Sequence, residues 1–238
     1  MLLLRPDAEA LAAFQTGLSL ARELGSTIWI VSLATQLGRA YLLNQNLPQA
    51  QATLQAVMPR EQHPRTMPER HIALAWGELA LAQGEPDMAL QIAEHLLASV
   101  PGLVPGQPVQ PIPHLLKLKG EALLALSRLD DAVAALEEAR EGAVARNDRP
   151  ILWTIHRVLG QAYRLLHREE QARQELAAAR QRILARDSGA ELETHLAELA
   201  AIEAGVAGAA VAAPAVENGS QPLREVALEV WRLGGWDA

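Results

Sequence analysis

The chain has 238 residues, 50% apolar, 21% charged and 3% aromatic, and its 21 basic against 28 acidic side chains leave a net charge of −7. This length supports a sizeable core, the composition excludes a disordered chain, and no apolar run approaches the ~18 residues of a membrane-spanning helix. The negative charge repels nucleic acid and anionic lipid, and the lack of cysteine removes thiol chemistry, disulfides and cysteine metal sites, which fits a cytoplasmic protein. With 44 alanines, two tyrosines and one phenylalanine, the composition favours helix.

The apolar stretch Met1 to Leu4 is too short for the core of a signal peptide. Residues 6–24 form the first predicted helix, whose Ala10, Phe14 and Gly17 mark it as the second half of a hairpin that lacks its first helix. Leu11, Phe14, Leu18 and Leu2 to Leu4 are then expected to leave an apolar surface open at this end, which favours a homodimer through this helix or, alternatively, through the C-terminal tail. Gly25-Ser26-Thr27 closes this helix and caps the next.

From here a period governs the chain. Gly38, Gly77, Gly120 and Gly160 recur at intervals of 39, 43 and 40 residues, and twelve residues beyond each stands Ala50, Ala89, Ala132 or Ala172. Four positions further on come Leu54, Ala93, Leu136 and Leu176, and three more lead to Val57, Leu96, Ala139 and Ala179. Small residues at such positions let two antiparallel helix axes approach where they cross. Turns between the helices of a pair are expected at Asn46-Leu47-Pro48, Gly84-Glu85-Pro86-Asp87 and Arg128-Leu129-Asp130.

The stretch Pro101 to Pro113 holds five of the 14 prolines and is expected to be a stiff extended connector. Ser188 and Glu191 have capping-box spacing and open a helix to Ala204, whose Leu192, Leu196, Leu199 and Ala200 would cover the last repeat. These features predict a repeat domain over 1–204, a flexible linker over 205–221 and a short tail helix within 222–238. Among the tryptophans, Trp29 and Trp153 are expected to staple helix starts and Trp76 to lie in the core, while Trp231 and Trp236 belong to the tail.

Leu37-Gly38 with Tyr41, Ala50 and Leu54, and Leu159-Gly160 with Tyr163, Ala172 and Leu176, make the chain resemble the tetratricopeptide repeat, over roughly residues 6–185. The longer period is similar to that of the repeat superhelices in large bacterial signal-transducing regulators, such as the activator family of the maltose system. The resemblance implies an all-α, right-handed superhelix of antiparallel helix pairs with a covering C-terminal helix and a tethered tail helix. It also implies that offsets of −6, −3, +1 and +4 from each glycine face the concave wall. These are Ser32, Thr35 and Arg39; His71 and Glu78; His114, Lys117 and Glu121; and Thr154, Arg157, Gln161 and Arg164.

Lys117, Arg157 and Arg164 suit an acidic partner, because guanidinium groups pair with carboxylates in a fixed fork. His71 and His114 occupy equivalent places and should share one surface. No phosphate-cradling loop, paired-histidine zinc motif or nucleophile elbow is present, so no catalytic residue, metal ligand or cofactor is assigned. The expected function is a non-enzymatic scaffold that binds a protein or peptide in a regulatory or signalling role, without nucleic acid or membrane. The alternatives are a small-ligand sensor domain of a transcriptional regulator, which an enclosed apolar pocket with convergent polar groups would favour, or a fragment of such a regulator.

Overall fold

The computed structural model describes residues 8–60, 62–99, 112–184, 196, 199 and 200. The predicted linker over 205–221 and tail helix over 222–238 lie outside the described residues, as do Leu2 to Leu4 and most of the Pro101–Pro113 connector.

Secondary structure among the described residues is entirely helical: α1 (Ala8–Glu23), α2 (Thr27–Leu43), α3 (Leu47–Gln55), α4 (Met67–Ala82), α5 (Pro86–Ala98), α6 (Pro113–Ala125), α7 (Leu129–Ala145), α8 (Arg149–Leu165) and α9 (Glu169–Leu184). Proline stands in the first turn of α3, α4, α5, α6 and α8, where its missing N–H has no intrahelical role to lose. Pro113 therefore opens α6 rather than ending the extended connector. The turns have a common construction. Gln45, Gly84, Ser127 and His167, each seven residues after a repeat glycine, have φ between 57° and 76°. The next N–H returns to a carbonyl five residues back, as from Asn46 to Tyr41 at 2.8 Å and from Arg128 to Leu123 at 2.9 Å. This is a Schellman ending, which turns the chain back sharply and makes the two helices antiparallel.

The pairs α2–α3, α4–α5, α6–α7 and α8–α9 are tightly packed hairpins, and α1 packs on α2. Successive first helices α2, α4, α6 and α8 also touch one another, so they form one wall of an α-solenoid. Ala50, Ala89, Ala132 and Ala172 have no exposed surface. A Cβ built on Gly38 would lie 2.6 Å from Leu54 Cδ2, on Gly120 2.5 Å from Leu136 Cγ, and on Gly160 2.7 Å from Leu176 Cγ. Each glycine is thus filled by the leucine sixteen residues onward. The α4–α5 hairpin has Ala93 there instead, and the space beside Gly77 is taken by Leu118 of α6.

Trp76 lies in the core and donates from Nε1 to the Met58 carbonyl at 3.0 Å. Trp153 is buried in a second cluster with Leu176, Ala179, Ile183 and Leu199. Leu199 thus packs where a covering helix was expected; most of the helix predicted from the Ser188–Glu191 capping box to Ala204 lies outside the described residues. Two expectations at the N-terminal end are corrected. Trp29 is 63% exposed, so it is not buried as the staple of a helix start. Leu18 is buried and Leu11 and Phe14 pack on the core, because α1 turns that stripe onto α2; the large apolar side chains exposed among the described residues of this end are Leu20, Leu24, Ile28 and Trp29.

Candidate functional site

The wall formed by α2, α4, α6 and α8 holds two columns of side chains set by the repeat. One residue beyond the glycines stand Arg39, Glu78, Glu121 and Gln161, and three before them Thr35, Leu74, Lys117 and Arg157. Apart from Leu74, all are polar and all are buried. Arg39 donates from Nε and Nη2 to the two Glu78 carboxylate oxygens at 2.9 and 2.7 Å, a bidentate pair joining α2 to α4. Lys117 Nζ donates to Glu121 Oε1 at 2.6 Å, one turn apart on α6. Arg157 is 1% exposed and lies over the Trp153 ring at 5.5 Å.

The pairs sense each other electrostatically. Burial pushes the Glu78 carboxyl up; Arg39 and then Lys117 oppose it, and Glu121 adds to it. Burial likewise raises Glu121, opposed by Lys117 and Arg157. Arg39, Glu78, Lys117, Glu121 and Arg157 therefore form a buried ladder of alternating sign across four helices. Breaking one rung would leave a charge in a poorly solvating interior. Thr35 and Thr154 are also buried, and their hydroxyls donate to the Val31 and Ile151 carbonyls, each at 2.7 Å. Gln161 is buried with them.

The remaining residues expected on this wall are more accessible. Ser32, His114 and Arg164 are half-buried, and His71 is exposed. Arg39, His71 and His114 come together at a cavity of about 310 Å³ between α2, α4, α5 and α6. Met67, Leu74, Leu96, Ile112 and Leu115 supply its apolar lining, and Gln36 and Arg70 join the polar rim. Both imidazoles are held below their ordinary value. For His114 burial is the main cause, followed by Arg39, Lys117 and His71, and together they bring it down to about 3. For His71 burial again leads, followed by Arg39 and Arg70. His114 has its Nδ1 3.8 Å from Asp148, too distant for a hydrogen bond. Lys117, Glu121, Arg157, Gln161 and Arg164 do not line this cavity.

Arg70 was missed in the sequence. It precedes His71 by one residue, and its guanidinium donates to the Ser99 carbonyl at 3.0 Å, Ser99 Oγ at 2.9 Å and the Leu96 carbonyl at 2.6 Å, capping the end of α5. A second polar group also escaped notice. His156 Nδ1 lies 2.5 Å from Glu175 Oε2, Arg140 donates to Glu175 Oε1 at 2.6 Å, and the Tyr163 hydroxyl donates to Glu137 Oε1 at 2.7 Å. Burial and the carboxylates of Glu137 and Glu175 push Tyr163 up to about 12. These contacts join α7, α8 and α9.

No group of three or more metal-ligating side chains occurs among the described residues, and no described helix is long and apolar enough to cross a membrane. Fold and site together define an all-α helical-repeat solenoid whose wall carries a buried charge ladder beside an apolar cavity. No family model and no curated protein matches the chain. The solved structure of MamA AMB-1 is similar over 79% of this chain and 98% of its own, with a TM-score of 0.42 and 18% identity.

Proposed function

We propose that the chain is a non-enzymatic helical-repeat scaffold that binds a protein or peptide segment along the wall of its first helices, in a regulatory or signal-transducing role. The observation that carries this reading is the row Ser32, His71 and His114, which occupies equivalent positions on α2, α4 and α6 and keeps surface accessible beside the cavity. Packed helices lie about 8–10 Å apart, so an extended segment rising about 3.3 Å per residue meets one such position roughly every third residue. The buried ladder supports recognition over catalysis, because Glu78 and Glu121 are engaged by Arg39 and Lys117. Binding is tested by cross-linked capture from native lysate with the full chain and with a His71→Ala/His114→Ala/Arg164→Ala variant of unchanged helical circular dichroism. A partner lost in the variant supports the wall; a partner retained at full yield refutes it.

A second reading, a small-ligand sensor, is favoured by a different observation. The cavity at Arg39, His71 and His114 is mostly apolar with polar groups converging on it, and its volume lies at the lower end of small-molecule sites.

A further inference from the structure

The chemistry of the cavity restricts what could occupy it. Among the described residues, two formal charges reach its lining, Arg39 and Arg70. Both guanidinium groups are already engaged: the Arg39 fork is closed on Glu78, and Arg70 is directed at the α5 end through three hydrogen bonds. The positive charge of Arg70 is offset by the negative end of the helix it caps. A carboxylate entering the cavity would have to displace these contacts, and an ammonium would meet two cations. Either charge would be desolvated against Leu74, Leu96, Ile112 and Leu115 without a dedicated partner.

The polar groups suited to a ligand are neutral. Gln36 Oε1 is buried with no hydrogen-bond partner among the described residues, an accepting atom that an incoming donor would satisfy. The exposed His71 ring stands on the same rim, and the held-down titration of His71 and His114 keeps both rings predominantly uncharged at neutral pH. An uncharged ring offers one donor and one acceptor. Gln36 and the two histidines therefore make an amide- and imidazole-rimmed mouth over an apolar floor.

We propose that this cavity binds a small, uncharged, largely apolar organic molecule that carries one hydrogen-bonding head group. The proposal rests on the small-ligand reading above and narrows it, because the acidic ligand expected from the sequence has no unengaged guanidinium to meet at this place. The apolar body lies against Leu74, Leu96, Ile112 and Leu115, and the head donates to Gln36.

The test uses the full chain at pH 7 and three probes that share one alkyl chain: octanamide, octanoate and octylammonium, each titrated by saturation-transfer NMR. Octanamide is expected to bind saturably and at least about tenfold more tightly than either charged probe. Gln36→Leu removes the acceptor and weakens octanamide about tenfold, the loss of one hydrogen bond. Met67→Trp, at a 59%-exposed lining position, obstructs the mouth without entering the core and weakens octanamide to the same degree or more. Circular dichroism verifies that both variants keep their helix content. Octanoate or octylammonium binding as tightly as octanamide overturns the uncharged-ligand proposal while leaving a small-ligand site standing. Octanamide binding indifferent to both substitutions lies elsewhere and overturns the proposal. No saturable binding by any probe removes this proposal and the small-ligand reading together.

Discussion

Gly120 is the sharpest place to perturb the repeat. Alanine normally stabilises a helix interior by about 1 kcal/mol relative to glycine. At Gly120 the added Cβ would stand 2.5 Å from Leu136 Cγ, 2.8 Å from Cδ2 and 3.3 Å from Cδ1, whereas carbons are comfortable at about 3.5–4.0 Å. The nearest atom is the branch point of a leucine with no exposed surface, so the whole side chain must move. Overpacking of this kind costs about 1–3 kcal/mol, which outweighs the gain in propensity and leaves Gly120→Ala about 1 kcal/mol less stable. Gly17 in α1 is the internal control: its added Cβ would meet Leu33 at an ordinary 3.5 Å, so Gly17→Ala should gain about 0.5–1 kcal/mol. Urea unfolding followed by helical circular dichroism measures both, and a Gly120→Ala variant stabilised as much as Gly17→Ala would refute the close crossing of α6 and α7.

Two further outcomes follow from local chemistry. Ser127 has φ 59°, a left-handed conformation that costs an L-residue about 1 kcal/mol or more, so Ser127→Gly should raise the unfolding midpoint; a lowered midpoint contradicts the turn geometry. His114 is brought from 6.5 down to about 3, so between those values the unfolded chain takes up a proton that the folded chain refuses. Its contribution to stability is therefore present above pH 6.5 and is lost as the pH falls towards 3. Nitrogen-15 NMR should find this ring neutral at pH 5, and a midpoint at or above 6.5 would contradict its burial beside Arg39 and Lys117.

The hairpins were legible because close packing constrains side-chain size. The close crossing at Gly38, Gly120 and Gly160 and the alanines twelve residues on was readable from spacing, whereas the structure adds that the leucine sixteen residues on fills the space beside each of these glycines. The wall was legible only as a face. The resemblance to the repeat family implied that Arg39, Glu78, Lys117, Glu121, Arg157 and Gln161 share one face, but a repeat register states which side a residue occupies and not how deep it lies. Depth depends on how far one hairpin is offset from the next, which also decides that Arg39 meets Glu78. Arg70 left no comparable signal, since its partners are backbone carbonyls at the end of α5, and any side chain there presents the same groups. The pair His156 and Glu175 joins α8 to α9 outside the offsets the repeat singled out. Trp29 shows the reverse error: a large aromatic at a helix start suggested a staple, yet in the structure it remains exposed.

The stacking of successive hairpins is tested most directly by a double-mutant cycle on Arg39 and Glu78, one repeat apart and joined at 2.9 and 2.7 Å. Arg39→Met and Glu78→Leu, singly, each strand a buried charge and should cost about 3 kcal/mol or more, whereas the double variant replaces the pair with apolar side chains and should recover much of that loss. Equilibrium unfolding should give a coupling energy of about 3 kcal/mol. Costs that add to within about 0.5 kcal/mol would mean that the two side chains do not meet, and the stacked wall would be contradicted.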